Sequence, residues 1–466
     1  MGKIVLSERC MACTACVNTC KKKAIYMVID EDGFYKPVID ERLCVGCKSC
    51  IRVCPEVEMP INLNKVTPKN YVVWAQNEVR ENSSSGGAFY ELAVSILLEK
   101  GSVYGCAWND GFLTEHIRIA DLKELSKLQK SKYVQSDLGN IYLYVKRDLE
   151  DGKKVLFSGV PCQIAGLYKF LGVNDNNLYT VDIICSGMGA VGVWKSYLEE
   201  LIAKNGDIKS IDFRSKEFGW KCGPVLYSFK DGSELKNLHD IYMRTYLSGM
   251  FRKEVCSDCN YAEFPRFADI TIGDFWNIQK KNPEYDDNKG TSVLIVNSSK
   301  GEQLFEGLKK RYVLCDEIDF DFTKTSNMFF RKRKNHPGSN VFCDSFREGK
   351  SVKESFLRAK SKNGTVDIRT IKNRKVVLFG TGNVFADFYD VLASLLDIRY
   401  VCDNDKLKWN NTYFNKKCIP PHELKDIGNP FVIIMIDNKK AVVQIKEQLR
   451  EYGIEDSIGY DELLLG

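Results

Sequence analysis

Cys10, Cys13, Cys16 and Cys20 stand in the spacing C-x2-C-x2-C-x3-C, and Cys44, Cys47, Cys50 and Cys54 repeat it with Pro55 directly after. Three thiolates at that spacing reach three irons of one cubane from a single tight loop, while the fourth ligates the other cluster. Two copies therefore complete each other. By that rule Cys10, Cys13, Cys16 and Cys54 hold one 4Fe-4S cluster, and Cys44, Cys47, Cys50 and Cys20 hold a second. Zinc is the poorer account, because its sites draw cysteines in pairs and not in triplets plus one. The first copy has Lys21 where the second has its proline, which alters the turn and removes no ligand. Between the copies, Ala24 to Ile29 and Tyr35 to Ile39 read as short strands around an Asp32-Gly33 turn.

This module, residues 1–60, resembles bacterial two-cluster ferredoxins. The remaining composition fits that reading. Eighteen cysteines in 466 residues would form a disulfide scaffold only in an exported chain. Met1 to Ser7 has neither a long apolar stretch nor a small-residue cleavage site, so the expectation is a cytoplasmic protein with reduced thiols. No apolar run is long enough to span a bilayer. With 44% hydrophobic and 28% charged residues the chain reads as globular, and its length suggests about three domains. The net charge of +5 is spread over many residues and points to no nucleic-acid partner.

Pro60 to Asn70 is polar, carries two prolines and reads as a linker to a central domain spanning 71–335. Ser83, Ser84, Ser85, Gly86 and Gly87 run into Ala88 to Lys100, whose apolar positions suit a buried helix. Serines cap helix starts, and glycines let a ligand approach the free N–H groups there. The turn reads either as a phosphate or pyrophosphate cradle or as a plainly capped helix. Lys154 to Ser158 reads as a buried strand, Gly159 to Gln163 as a turn containing Cys162, and Ile164 to Leu171 as a helix. A second strand, Leu178 to Ile184, ends in Cys185, Ser186 and Gly187. Ligands gather at strand carboxyl ends in an open α/β sheet, so Cys162 and Cys185 are expected in one crevice. Cys256 and Cys259 add a C-x2-C pair. Four thiolates suffice for a third 4Fe-4S cluster, although a buried, inert thiol is the plain reading of any one taken alone.

Four stretches carry a more specific likeness: SKYVQS at 131–136, VLFSGVPCQIAG at 155–166, DFRSK at 212–216 with Gly219-Trp220, and ADITIGDFW at 268–276. In these, residues 71–333 resemble the family of coenzyme F-420 hydrogenase/dehydrogenase beta subunits. The resemblance implies a flavoprotein with FAD beside a 4Fe-4S cluster, exchanging electrons with a hydride-carrying substrate, in the named cases the deazaflavin coenzyme. Carried over by position, the flavin region includes Ser85, Gly86, Gly87, Lys132, Gln135 and Ser136, with Gly159 and Gln163 nearby. The third cluster takes Cys162, Cys185, Cys256 and Cys259. Two departures stand out. Ser186 replaces a frequent histidine, and Cys222 is either a spare thiol or a competing ligand.

Arg331 to Lys334 is a basic run, read as a solvated loop or a docking patch for an acidic partner. Residues 372–466 look like a separate α/β unit. In it, Val376 to Phe379 reads as a strand, Gly380-Thr381-Gly382 as a turn, Phe385 to Leu396 as a helix, and Ile398 to Cys402 as a strand ending in Asp403-Asn404-Asp405. That is the outline of a dinucleotide fold with Phe385 at the third glycine. The ligand is a nucleotide or nucleotide-sugar, or the domain binds none and serves interaction. It resembles Rossmann-like domains appended to bacterial polysaccharide-biosynthesis enzymes.

The expected fold is a multidomain α+β and α/β chain: a two-cluster module, a central α/β domain and a Rossmann-like domain. The expected function is an iron-sulfur flavoenzyme passing electrons between clusters, FAD and a small hydride carrier, either coenzyme F-420 or an intermediate of polysaccharide biosynthesis. The alternative is a relay subunit serving a redox partner protein. No catalytic residue is assigned, and the sequence leaves the oligomeric state open.

Overall fold

The computed structural model describes residues 8–62, 64, 66–172, 175–326 and 330–465. It comprises two compact units, Met1–Tyr246 with Arg252–Asn335, and Leu247–Phe251 with His336–Gly466.

In the first unit, β1 (Ile25–Ile29) and β2 (Tyr35–Ile39) form an antiparallel hairpin with Ile25 opposite Ile39. Each cysteine loop winds through two left-handed residues at matching positions, Ala12 and Thr14 in the first (φ 53° and 58°), Gly46 and Lys48 in the second (φ 72° and 59°). Left-handed backbone is uncommon outside glycine. Its recurrence at equivalent sites shows that the repeat is one of backbone shape as well as of spacing. Short helices, Ala15–Thr19 and Ser49–Arg52, follow the two turns.

The central strands are β3 (Lys69–Trp74), β4 (Ser102–Trp108), β5 (Thr114–Ile119), β6 (Val155–Gly159) and β7 (Leu178–Ile183). After them come β8 (Ile208–Asp212), β9 (Val225–Phe229) and β10 (Glu234–Asn237), which form a small separate sheet, and then β11 (Ile270–Asp274), β12 (Ser292–Val296) and β13 (Leu314–Ile318). The large sheet has the order β13-β3-β12-β11-β7-β6-β4-β5. Its middle strands β4, β6, β7 and β11 are parallel. Parallel strands are covered on both faces, and every residue of β6 is buried. Leu92, Ile96, Val103, Leu156 and Leu294 form one core. Tyr142, Phe157, Ile164 and Leu167 pack with Cys13 and Ala15 of the N-terminal module in another.

The helix read from Phe385 starts two residues earlier, at Asn383, and two other boundaries that differ from the sequence reading bear on the site. The helix after β6 spans Pro161–Leu171 and begins three residues early, because proline is preorganised for the first helical position. Cys162 therefore sits in a helical first turn. The helix from Ala88 stops at Leu98, and Lys100 then turns left-handed at φ 60°. The segment read as a linker is fastened down: the Asn62 and Asn64 amides donate to the Arg266 carbonyl at 3.1 and 3.0 Å.

In the second unit, β14 (Val366–Asp367) precedes a sheet of β15 (Val376–Phe379), β16 (Ile398–Cys402), β17 (Thr412–Tyr413), β18 (Lys416–Ile419), β19 (Phe431–Ile434) and β20 (Ser457–Gly459), and β14 pairs with the final β21 (Leu463–Leu464). The sheet order is β17-β18-β16-β15-β19-β20. From β18 to β20 all pairings are parallel. This is the doubly wound, Rossmann-like order. Phe385 is buried against Tyr389, Tyr413 and Phe414.

Candidate iron-sulfur centres and flavin region

The two halves of the cysteine ladder meet in a crossed manner. A cavity of about 30 Å³ is lined by Cys10, Cys13, Cys16 and Cys54, with Cys50 and the apolar side chains of Met11, Met27 and Pro37 beside them. Burial raises the Cys10 and Cys13 thiols, and it pushes Cys16 up to about 12, with the charges of Cys10 and Cys54 adding to it. The Cys50 thiol is raised by burial and then by Cys47 and Cys20. Ala12 N–H donates to Cys10 Sγ and Ala24 N–H to Cys20 Sγ, both at 3.3 Å. Such bonds stabilise thiolate charge and tune a cluster's potential. The second group lies nearer solvent: Cys47 is exposed, and a hydrogen bond with Ser49 lowers its thiol below the ordinary value.

The third group assembles from three distant segments. Cys162 comes from the helix after β6, Cys185 from just beyond β7, and Cys256 and Cys259 from the turn Glu254–Asp258 and its end. Burial raises Cys162 well above its usual value, with Cys259, Cys185 and Cys256 adding to the shift. Burial also pushes Cys185 up to about 11 and Cys256 to about 12. Three of these sulfurs accept backbone N–H bonds: Cys185 from Gly187 at 3.3 Å, Cys256 from Met188 and Cys259 from Tyr261 at 3.4 Å. Two buried arginines stand by. Arg252 lies against Gly187, where a Cβ would meet its Cδ at 2.4 Å. Arg266 is paired with buried Asp182 at 3.1 Å and holds the Tyr261 carbonyl at 3.0 Å.

Among the described residues, no three His, Cys, Asp or Glu side chains close in tightly enough for a single metal ion. A cubane places its four cysteines on four separate irons and so needs them farther apart. Thiols kept neutral by burial, with N–H groups already aimed at the sulfurs, fit a group that supplies positive charge and displaces protons. The inner ladder site and the third site also adjoin. A Cβ on Gly166, in the helix carrying Cys162, would stand 2.7 Å from Cys13 Cβ and 2.9 Å from its sulfur. Met11, Cys162, Met188 and Tyr261 pack together there.

The residues carried over to the flavin region divide. Ser85 Oγ donates to the Thr291 carbonyl at 2.7 Å, and Lys132 Nζ to that of Gln129 at 2.8 Å. Ser131 N–H reaches Ser84 Oγ at 2.7 Å, which joins the segment carrying Lys132 to the serine turn. Gly86 and Gly87 are demanded by packing: Cβ atoms there would meet Val73 O at 2.4 Å and Ala75 Cβ at 2.8 Å, and Gly87 has φ +87°. Gln135 instead accepts from Tyr35 N–H at 2.8 Å. The Gln163 side chain accepts from Val160 N–H at 2.9 Å, and Gly159 lies against it. Ser136 Oγ is 2.7 Å from Nδ1 of His116, a residue the sequence did not single out. Burial lowers His116 to about 4, so it is neutral at pH 7.

Other basic groups surround the serine turn. Lys216 donates to the Arg80 and Ser85 carbonyls. Desolvation, then Arg80 and Arg214, lower its amine to about 7. Arg214 binds Asp274 at 2.8 Å and lies 5.3 Å over the Trp276 ring, and its Nη2 is buried with no hydrogen-bond partner among the described residues. Trp276 stacks on Trp220 at 4.5 Å, and Trp220 donates to the Ser84 carbonyl at 3.1 Å. These residues sit in the 212–216, 219–220 and 268–276 stretches, which carried a likeness and no assigned role. Half-buried cations, Lys216 on carbonyls and Arg214 on a carboxylate with a donor left over, fit an anion such as a pyrophosphate.

Three parts of the chain match known families. Residues 9–57 match the 4Fe-4S dicluster domain, 152–319 the C terminus of the coenzyme F420 hydrogenase/dehydrogenase beta subunit, and 372–458 the C2185-like N-terminal domain. The likeness to coenzyme F420 hydrogenase/dehydrogenase beta subunits is carried by residues 152–319, a little over a third of the chain. It is 24% identical over 344 residues to the coenzyme F420-dependent sulfite reductase of Methanocaldococcus jannaschii, covering 68% of this chain and 49% of that protein. With the F subunit of the F(420)H(2) dehydrogenase of Methanosarcina mazei it shares 23% identity over 296 residues, 59% of this chain and 80% of the other. The chain thus spans about half of the first relative. A chain of the F420-reducing [NiFe] hydrogenase complex from Methanosarcina barkeri aligns at TM-score 0.39 and 14% identity, over 66% of this chain and 92% of that one. With a dicluster domain and this likeness, the protein is an iron-sulfur redox protein.

Three further expectations meet particular geometry. Lys332 of the basic run pairs with Asp258 at 2.6 Å, beside Cys259. Asp403 accepts from Thr381 N–H and Oγ1 at 2.8 Å and from Lys408 at 3.0 Å, so the acid that ends the second strand of the dinucleotide outline is engaged inside its own domain. The side chain of Cys222 lies outside the described residues. Ser186 hydrogen-bonds the Tyr246 hydroxyl at 2.8 Å. No helix of the described residues is long and apolar enough to cross a membrane.

Proposed function

We propose that this protein is a flavin-dependent iron-sulfur oxidoreductase exchanging a hydride with a small carrier, of which the deazaflavin coenzyme F420 named in its relatives is the first candidate. The observation that carries the reading is the gathering of Cys162, Cys185, Cys256 and Cys259 around N–H donors, next to Cys13 of the ladder. Cys10, Cys13, Cys16 and Cys54 hold the inner ladder cluster on this reading, and Cys20, Cys44, Cys47 and Cys50 the outer one. FAD is assigned to the serine turn with Lys132, Arg214 and Lys216 toward its pyrophosphate. A flavin, when bound, joins the one-electron chemistry of clusters to the two-electron chemistry of a hydride.

The chain's own residues supply the setting. Arg266 and Arg252 place positive charge beside buried thiolates, and Gly166 permits close approach of the two inner cysteine groups. His116 stays neutral and so places no competing charge near Lys132. An intermediate of polysaccharide biosynthesis is the second candidate substrate, suggested by the likeness of residues 372–466.

The test is anaerobic purification followed by an absorption spectrum and cofactor extraction. FAD released together with cluster absorbance is the expected result. Clusters without flavin would favour the relay subunit.

A further inference from the structure

We propose that the outer end of the ladder is a docking surface for a small acidic one-electron carrier protein. The inference rests on the assignment of Cys20, Cys44, Cys47 and Cys50 to the outer cluster. Of the eight ladder cysteines Cys47 alone is exposed, so this is where an external protein approaches a ligand sulfur directly. Exposed basic side chains flank the cysteines assigned to this cluster along the chain. Lys21, Lys22 and Lys23 follow Cys20 and are all exposed, as are Arg42, Lys48 and Arg52. Arg52 donates to the Cys47 carbonyl at 3.1 Å and to Ser49 at 2.9 Å, which holds one guanidinium over the cysteine loop.

The acidic groups here are Asp40 and Glu41, and Arg42 binds Asp40 at 2.7 Å. Among the described residues no carboxylate pairs with Lys21, Lys22, Lys23 or Lys48. Between the cations, Leu43 and Val45 are exposed by 50% and 48%. Exposed apolar side chains among predominantly basic ones are the form of a short-lived, electrostatically steered interface. An anionic membrane would meet the same charges. A protein carrier is favoured because the exposed sulfur belongs to a cluster ligand, and lipid binding gives that exposure no use.

Each encounter moves one electron and no atoms: the carrier's centre is oxidised as the outer cluster is reduced, or the reverse. Two encounters balance one hydride. The experiment uses the full chain with its clusters, a photoreduced acidic bacterial ferredoxin as probe, and methyl viologen radical as a small cationic control, all by stopped flow. The ferredoxin rate constant should fall about tenfold between roughly 20 mM and 300 mM salt. The triple variant Lys21→Glu, Lys22→Glu, Lys23→Glu should lose about tenfold at low salt, while the viologen rate is kept or rises.

Ferredoxin rates indifferent to both salt and charge reversal overturn the proposal, with the viologen reaction intact. So does a variant that loses binding to phosphatidylglycerol vesicles while its ferredoxin rate is unchanged, an outcome that assigns the surface to a membrane. If the variant also reacts slowly with viologen, its cluster is damaged and the salt dependence of the unaltered chain decides. A wild-type chain that takes no electron from viologen contradicts the cluster assignment itself.

Discussion

The ladder and the third cysteine group use the same residue type in opposite ways. In the ladder, eight cysteines lie within 45 residues and the backbone itself shapes the loops, through left-handed residues at matching positions. In the third group, Cys162 and Cys259 are 97 residues apart, and a sheet brings them together. A local site survives damage elsewhere in the fold. A site assembled by a sheet reports on the whole domain.

The largest effect that could break this comparison is a loss of iron. Cys256→Ala should remove about four of about twelve irons and leave the ladder's signals in place. Loss of all signals would mean that the sites are not independent. Next, Cys20→Ala and Cys54→Ala should each damage the cluster held mainly by the other motif, read by electron paramagnetic resonance. Damage confined to the motif that carries the substitution would contradict crossed ligation.

Gly166→Val sharpens the contact between the two sites. The added carbons meet Cys13 at distances no relaxed contact allows, so a destabilisation of about 1–3 kcal/mol is expected from overpacking. Thermal unfolding reads it, and electron passage from the ladder to the third site should slow in rapid-freeze measurements. The smallest effect concerns the flavin region. Lys216, lowered to about 7 by desolvation and its neighbouring arginines, is charged below that pH and neutral above it. Affinity for FAD should therefore weaken as pH rises from about 6 to 9. In Lys216→Met, whose position no longer titrates, that dependence should flatten.

The same contrast explains what the sequence could reveal. Ladder spacing is legible because ligands and fold lie within one short stretch, and β1, β2, β15 and β16 fall where alternation and turn residues put them to within a residue. The start of the helix at Pro161 carried a local signal, a proline at the first helical turn, which the glycine turn before it masked. Gln135 carried none: its partner, Tyr35, is 100 residues away, and only the docked module shows that its side chain serves that contact. Arg214, Lys216, Trp220 and Trp276 stood in stretches noted for their likeness, but their convergence on the serine turn depends on four separate segments. Gly86 and Gly87 were legible as glycines, while the close approaches that demand them come from β3 and Ser292 for the first and from the Ala75 and Val79 side chains for the second.

The proposed function requires that one chain carry the ladder's two clusters and a third, sheet-assembled one. Its most direct test is the iron and acid-labile sulfide content of the full chain purified without oxygen. About twelve of each per chain are expected. About eight, with Cys162, Cys185, Cys256 and Cys259 all reactive toward a thiol reagent after unfolding in chelator and unchanged by prior iron reconstitution, would contradict it.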